Sequence, residues 1–74
     1  MQVTVKLFAS FRAGRFDIEV REYPAGTTVA DVADTLDLPR SELGIMMVNS
    51  RHVKLEHVLA EQDTLALFPL LGGG

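Results

Sequence analysis

One segment of this chain, Thr28 to Leu36, carries a helical stripe, and segments of strict alternation flank it on both sides. Val29, Val32, Ala33 and Leu36 fall at i, i+3, i+4 and i+7, while Asp31, Asp34 and Thr35 lie off that face. Residues 2–8 alternate instead, with Val3, Val5 and Leu7 on one side and Gln2, Thr4 and Lys6 on the other. Phe8 falls with the polar set. Residues 16–20 repeat the alternation, which predicts Phe16, Ile18 and Val20 inward and Asp17, Glu19 and Arg21 outward. Thr64–Phe68 groups Leu65 with Leu67 and leaves Phe68, like Phe8, opposite the core. A single amphipathic helix and a set of one-sided strands bury both apolar surfaces by laying the helix across the sheet. With 74 residues there is room for one small domain. A chain of this size buries only about 60% of the surface it exposes when unfolded, so the core is thin.

The connections fix the order of elements. Ala9–Arg15 is rich in small residues and reads as a loop joining two antiparallel strands. Tyr23-Pro24-Ala25-Gly26 is a turn, with Gly26 free to take positive φ. Thr28 is a good N-cap, and Asp31 sits where the acid of a capping box belongs. Pro39 predicts a helix end near Asp37 or Leu38. Ile45–Val48 reads as a strand without a polar face, its Met46 and Met47 assigned to the core. Asn49-Ser50-Arg51 reads as a tight turn into a short strand at His52-Val53, Leu55, Val58 and Leu59 as a helical turn or packed loop, and Glu61-Gln62-Asp63 as a polar corner. Placing the first and last strands side by side at the sheet centre gives an α+β, ubiquitin-like β-grasp: a mixed sheet with one main helix packed across it.

Composition removes several classes of function. With no cysteine and two histidines, a disulfide framework and a structural zinc site are excluded or nearly so. A net charge of -3 argues against a nucleic-acid binder. No apolar run approaches the roughly 20 residues that span a bilayer, and the N-terminus lacks a signal-peptide layout, so a cytoplasmic location away from membranes is expected. Asp31, Asp34 and Asp37 lack the glycine and ligand spacing of a calcium loop and read as a solvated face. His52 and His57 read as solvated or turn-stabilising, and Arg12, Arg15 and Arg21 as solubilising residues of the first hairpin, with docking of an acidic partner as their second reading. No phosphate loop or nucleophile–base–acid set is visible.

The last residues, Phe68-Pro69-Leu70-Leu71-Gly72-Gly73-Gly74, are the least ordinary stretch. Glycine loses more entropy on ordering than any other residue. Pro69 donates no ladder bond, so strand pairing is expected to end there, leaving a β-grasp domain over 1–68 and a flexible tail over 69–74. Residues 69–74, at about 3.3–3.6 Å each, reach roughly 20 Å. Such a tail fits a narrow channel in another protein and presents there the carboxylate of Gly74, inert until activated as an acyl-adenylate and then open to a nucleophile. Phe8 and Phe68, with Leu70 and Leu71, form a candidate exposed apolar patch of the kind that docks a partner. If the first and last strands are neighbours, Phe8 and Phe68 form a cross-strand pair.

The order of motifs resembles the ubiquitin-like sulfur-carrier family. Val48-Asn49, Asp63, Ala66-Leu67, Pro69 and the terminal glycines occupy the places of its strand end, polar corner, last strand and diglycine. Leu7-Phe8-Ala9 with Phe11-Arg12, and Gly26-Thr27-Thr28-Val29-Ala30-Asp31-Val32, resemble the first strand and the helix start of the molybdopterin synthase small subunit. Leu70-Leu71-Gly72 departs from that pattern, which has a second proline or a small residue before the diglycine. The resemblance implies a protein substrate and subunit, not a free-standing enzyme. An adenylyltransferase similar to ubiquitin-activating enzymes would adenylate Gly74 with ATP. A sulfur donor protein would then replace AMP to leave a thiocarboxylate. The large catalytic subunit of molybdopterin synthase would receive the tail, contacting Phe8, Phe68, Pro69, Leu70, Leu71, Gly72 and Gly73. The carrier itself would bind no cofactor and no metal. The same chemistry fits a thiamine- or cysteine-pathway carrier, or a modifier conjugated to lysines. A β-grasp interaction module without the chemistry is the remaining alternative.

Overall fold

In the computed structural model, which describes residues 1–70, β1 (Gln2–Leu7) lies beside β5 (Thr64–Pro69) in parallel, the pairing expected of the first and last strands. β2 (Ile18–Glu22) is antiparallel to β1, β3 (Leu43–Val48) is antiparallel to β5, and β4 (Arg51–His52) closes the far edge, giving the order β2-β1-β5-β3-β4. Helix α1 (Val29–Thr35) places Val29, Val32, Ala33 and Leu36 in one core with Val3, Val5, Leu7, Leu65 and Leu67. This is the mixed-sheet β-grasp.

Local chemistry explains the ends of α1. The Thr28 hydroxyl accepts from the Asp31 amide at 3.2 Å, and the Asp31 carboxylate accepts from the Thr28 amide at 3.0 Å. The reciprocal pair satisfies donors that the first helical turn leaves orphaned. It also holds the Asp31 carboxyl below its ordinary value, chiefly through the Thr28 backbone bond. At the other end the helix stops at Thr35, short of the expected Asp37 or Leu38. Asp37 takes φ 56, and the amides of Asp37 and Leu38 bond back to Asp34 O at 3.1 Å and Ala33 O at 3.0 Å. This is a left-handed closure, and it ends the helix before Pro39 has any influence. Arg15 completes it: its Nε donates to Leu36 O at 2.9 Å and its Nη2 to Asp37 O at 3.2 Å. Arg15 is thus a helix cap rather than a solubilising residue. The acidic face is likewise structural, with Asp31 in the box, Asp34 paired to Arg40 at 2.9 Å and Asp37 at the closure.

Other loops are ordered by the same means. The 9–15 connection contains a 3₁₀ turn at Ala9–Arg12 that drops Phe11 into the core, where it is 3% exposed. Asn49 and Ser50 both take positive φ, 50 and 69, the conformation of the two-residue hairpin turn that matches strand twist. Leu55–Leu59 is a packed loop, not a helical turn, with Leu59 buried and Val58 bridged to Thr28. The polar corner is closed by Asp63, only 9% exposed, which accepts from Asn49 Nδ2 at 2.9 Å and from the Ala60 amide at 2.8 Å. Asn49 Oδ1 in turn accepts from the Thr64 amide at 2.9 Å. Each of these oxygens thus has a partner, so the network is stabilising rather than an orphaned buried charge.

Two expectations about the strands fail. Ile18 and Val20 are 62% and 60% exposed, not inward. In the β1–β2 register Ile18 pairs with Lys6 and Val20 with Thr4, so both stand on the sheet face away from α1. Glu19 and Arg21 take the helix side at the sheet's edge, where Arg21 donates to Glu19 at 2.7 Å and to the Tyr23 hydroxyl at 3.0 Å. Strand pairing also continues through Pro69, which is buried and pairs with Leu43, and the Leu70 amide donates to Glu42 O at 2.9 Å. The proline is tolerated because the β3–β5 register shifts between Leu43 and Ile45, and a bulge needs no ladder donor there. Gly44 makes the close approach possible: a Cβ there would lie 2.7 Å from Pro69 O.

Candidate functional site

The outer face of the sheet, opposite α1, is where the sequence-predicted residues converge. β1 and β5 run parallel with Lys6 beside Ala66 and Leu7 beside Leu67. One step further along, Phe8 and Phe68 stack with centroids 4.2 Å apart and planes inclined by 10°. The cross-strand pair is therefore formed. Across β5, Ile45 pairs with Phe68 and Met47 with Ala66, extending the apolar surface to β3. Lys6, Phe8, Met47, Asn49, Ser50, Thr64, Ala66 and Phe68 enclose a groove of about 440 Å³. Met47 belongs to this surface, contrary to its assignment to the core, whereas Met46 packs inward against it. A pairing register decides the difference: Met47 shares a face with Ala66, and Met46 with Leu67.

Charge borders the aromatic pair. The Arg12 guanidinium lies 5.5 Å from the Phe8 centroid, near enough to interact with the ring face. It is held there by Nε donation to Leu7 O at 2.9 Å and by a 3.5 Å contact with Asp17. Lys6 lines the groove and Ile45 is exposed beside it. The face therefore offers stacked rings, aliphatic and thioether surface and cations at its margin. Such a composition suits docking to a protein with an apolar centre and an acidic rim.

β5 leads the chain out of this face. Phe68, Pro69 and Leu70 follow one another at its end, with Leu70 exposed. Leu71, Gly72, Gly73 and Gly74, also named as site residues, lie outside the described residues. A second hollow, about 560 Å³, sits beside the 57–63 loop and includes Asn49, His57 and Asp63. The Asn49 and Asp63 groups there are already bonded to each other and to the backbone. Among the described residues no cluster of three or more His, Asp or Glu is arranged to hold a metal ion. No described helix is long and apolar enough to cross a membrane. The outer-face residues Ile45, Met47, Lys6 and Ala66 were not legible as site residues. The signal that finds them is the pairing register, since each shares a face with Phe8 or Phe68.

A five-stranded mixed sheet with one helix behind it and an apolar groove in front defines a ubiquitin-like domain. The chain matches the ThiS family over residues 5–74 and belongs to it, placing it among the ubiquitin-like sulfur carriers. No curated protein sequence matches the chain. Among solved structures, it is similar to a putative molybdopterin converting factor subunit 1 from Pyrococcus furiosus, with 30% identity, a TM-score of 0.75, and coverage of 93% of this chain and 97% of that one. It is similar as well to the small archaeal modifier protein 1 of Haloferax volcanii, at 25% identity and TM-score 0.73, covering 92% of this chain and 95% of that one. It shares its fold, at 16% identity and TM-score 0.67, with a protein–protein complex of subunits 1 and 2 of molybdopterin-converting factor from Helicobacter pylori, all of both chains being covered.

Proposed function

We propose that this chain carries sulfur as a thiocarboxylate on Gly74 for molybdopterin synthesis. The observation that carries the reading is the Phe8–Phe68 stack and its groove, set on the strand that runs directly into the glycine tail. Membership of the ThiS family and the 30% identity to a molybdopterin converting factor subunit 1 support it.

In the proposed cycle the outer face docks first on an adenylyltransferase. The Gly74 carboxylate attacks the α-phosphorus of ATP, pyrophosphate leaves, and an acyl-adenylate forms. A sulfur nucleophile from a donor protein then adds to the acyl carbon and AMP departs. With sulfide as nucleophile the exchange balances without a redox step. The large catalytic subunit of molybdopterin synthase next receives the tail; the thiocarboxylate sulfur bonds to an acceptor carbon held there, and water cleaves the resulting thioester, leaving sulfur on the acceptor and restoring the Gly74 carboxylate. That partner is suggested by the complex that gives the Helicobacter pylori structure its name. The chain's own contribution is recognition and delivery: rings and aliphatic side chains hold the partner, cations at the margin orient it, and the residues after Leu70 carry Gly74 to its reaction centre. All the groups that make and break bonds, other than the carboxylate, belong to partners, so the carrier is a co-substrate and not the enzyme.

ATP–pyrophosphate exchange with a cognate adenylyltransferase tests the first step. Exchange should depend on this chain and should vanish when Gly73 and Gly74 are removed. Exchange undiminished by that deletion overturns the reading. The likeness to small archaeal modifier protein 1 favours a second reading, in which the same adenylate is passed to lysine amines. Lysine conjugates that accumulate while no thiocarboxylate forms would select it.

A further inference from the structure

β2 is an edge strand whose outer side faces no other strand among the described residues. The β1–β2 ladder fixes which groups point that way. Asp17 O accepts from the Leu7 amide at 2.8 Å, and the Tyr23 amide donates to Met1 O at 2.9 Å, so the odd-numbered residues bond toward β1. The register runs without a shift from Ile18 to Glu22. Antiparallel bonding alternates, so the N–H and C=O groups of Ile18, Val20 and Glu22 point to the open edge. The strand is also apolar there in an unusual way, since Ile18 and Val20 are, with Leu70, the most exposed large hydrophobics of the described residues.

We propose that β2 pairs with β2 of a second copy of this chain, antiparallel and with its two-fold axis at Val20. In that register Val20 meets its own counterpart and exchanges both ladder bonds with it. Ile18 faces Glu22 of the other copy, and Glu19 faces Arg21. The register is selected by charge. Moving the axis to Glu19 sets that carboxylate against its own copy. Moving it to Arg21 does the same with the guanidinium. Like charges directly opposite are destabilising, whereas opposite charges across a ladder are favourable. All three neighbouring registers engage edge-facing backbone groups, but the Val20-centred one alone sets opposite charges within β2 against each other, and does so twice, as a two-fold contact must. Paired residues share a face, so the sheets join with both helices on one side and the outer faces continuous. β1 separates this contact from the Phe8–Phe68 groove, which stays open in each copy.

Sedimentation equilibrium of the full chain from about 1 µM to about 1 mM tests the pairing. The mean mass should rise with concentration toward that of a dimer. Val20→Pro removes an edge-facing donor without touching the β1 ladder and should leave a folded chain monomeric throughout, a loss of about ten-fold or more in association. Glu19→Arg should likewise abolish the dimer, and the double exchange Glu19→Arg with Arg21→Glu should restore it. That restoration also guards against a variant that merely fails to fold. A chain that stays monomeric at the highest concentration, or a dimer unaffected by Val20→Pro and by Glu19→Arg, overturns the proposal.

Discussion

At the scale of single residues, Phe68 and Gly44 separate docking from folding. Phe68 is half-buried against Phe8 on the outer face, while the neighbouring Leu67 is fully enclosed. Phe68→Ser should therefore weaken partner binding by roughly ten-fold or more, as loss of an interface aromatic does, while the melting temperature falls little. Titration calorimetry and thermal unfolding on the same variant check both halves, and an unfolded variant would make Phe68 a core residue. Gly44→Ala should do the opposite. Its new Cβ meets the Pro69 carbonyl at 2.7 Å, against backbone that cannot step aside, so a loss of about 1–3 kcal/mol in chemical denaturation is expected. Phe8 and Phe68 were legible in the sequence as a pair because both break the alternation of their strands in the same sense. Gly44 was not, because no local pattern announces a close approach between segments so far apart in the chain. Asn49 and Asp63 were legible only as a turn and a corner, since their mutual bond exists only once β3 and β5 are paired.

Among the elements, α1 follows its sequence most closely and β2 least. The stripe and capping box of α1 are purely local, so spacing alone sets them. Asp31, whose carboxyl is lowered by the Thr28 amide and hydroxyl, also gives α1 a predictable pH dependence. A group with a depressed folded pKa contributes stability above its unfolded value and loses it as pH falls through the folded one. Asp31→Asn should accordingly lower stability at neutral pH, and the gap to the parent chain should close as pH falls from about 5 to about 2. A gap that does not change with pH would show that charge plays no part in the cap. For β2, alternation correctly separated two sets of side chains but could not say which set faces the helix. At a sheet edge both sets reach solvent, so Glu19 and Arg21 occupy the helix side without burying a charge, and Arg21 reaches the Tyr23 hydroxyl. Pro69 misled for a related reason: its missing donor matters only where the ladder asks for one, and the irregular register at Gly44 does not.

For the whole molecule, the packed core and the residue proposed to carry the chemistry are separated along the chain. The buried core runs from Val3 to Leu67, and the polar closure at Asn49 and Asp63 lies within the domain. Deleting Gly73 and Gly74 should therefore leave the melting temperature unchanged while abolishing adenylate formation; a large loss of stability would contradict a tail that serves delivery alone. A thin core of this size leaves little room for a walled catalytic pocket, which agrees with the proposed use of partners' active sites. The central claim is that sulfur rides on the Gly74 carboxyl, and intact mass tests it most directly. After incubation with a cognate adenylyltransferase, ATP and a sulfur donor, the chain should gain about 16 Da, one oxygen exchanged for sulfur. An unchanged mass, with the same enzyme active on another carrier, would contradict it.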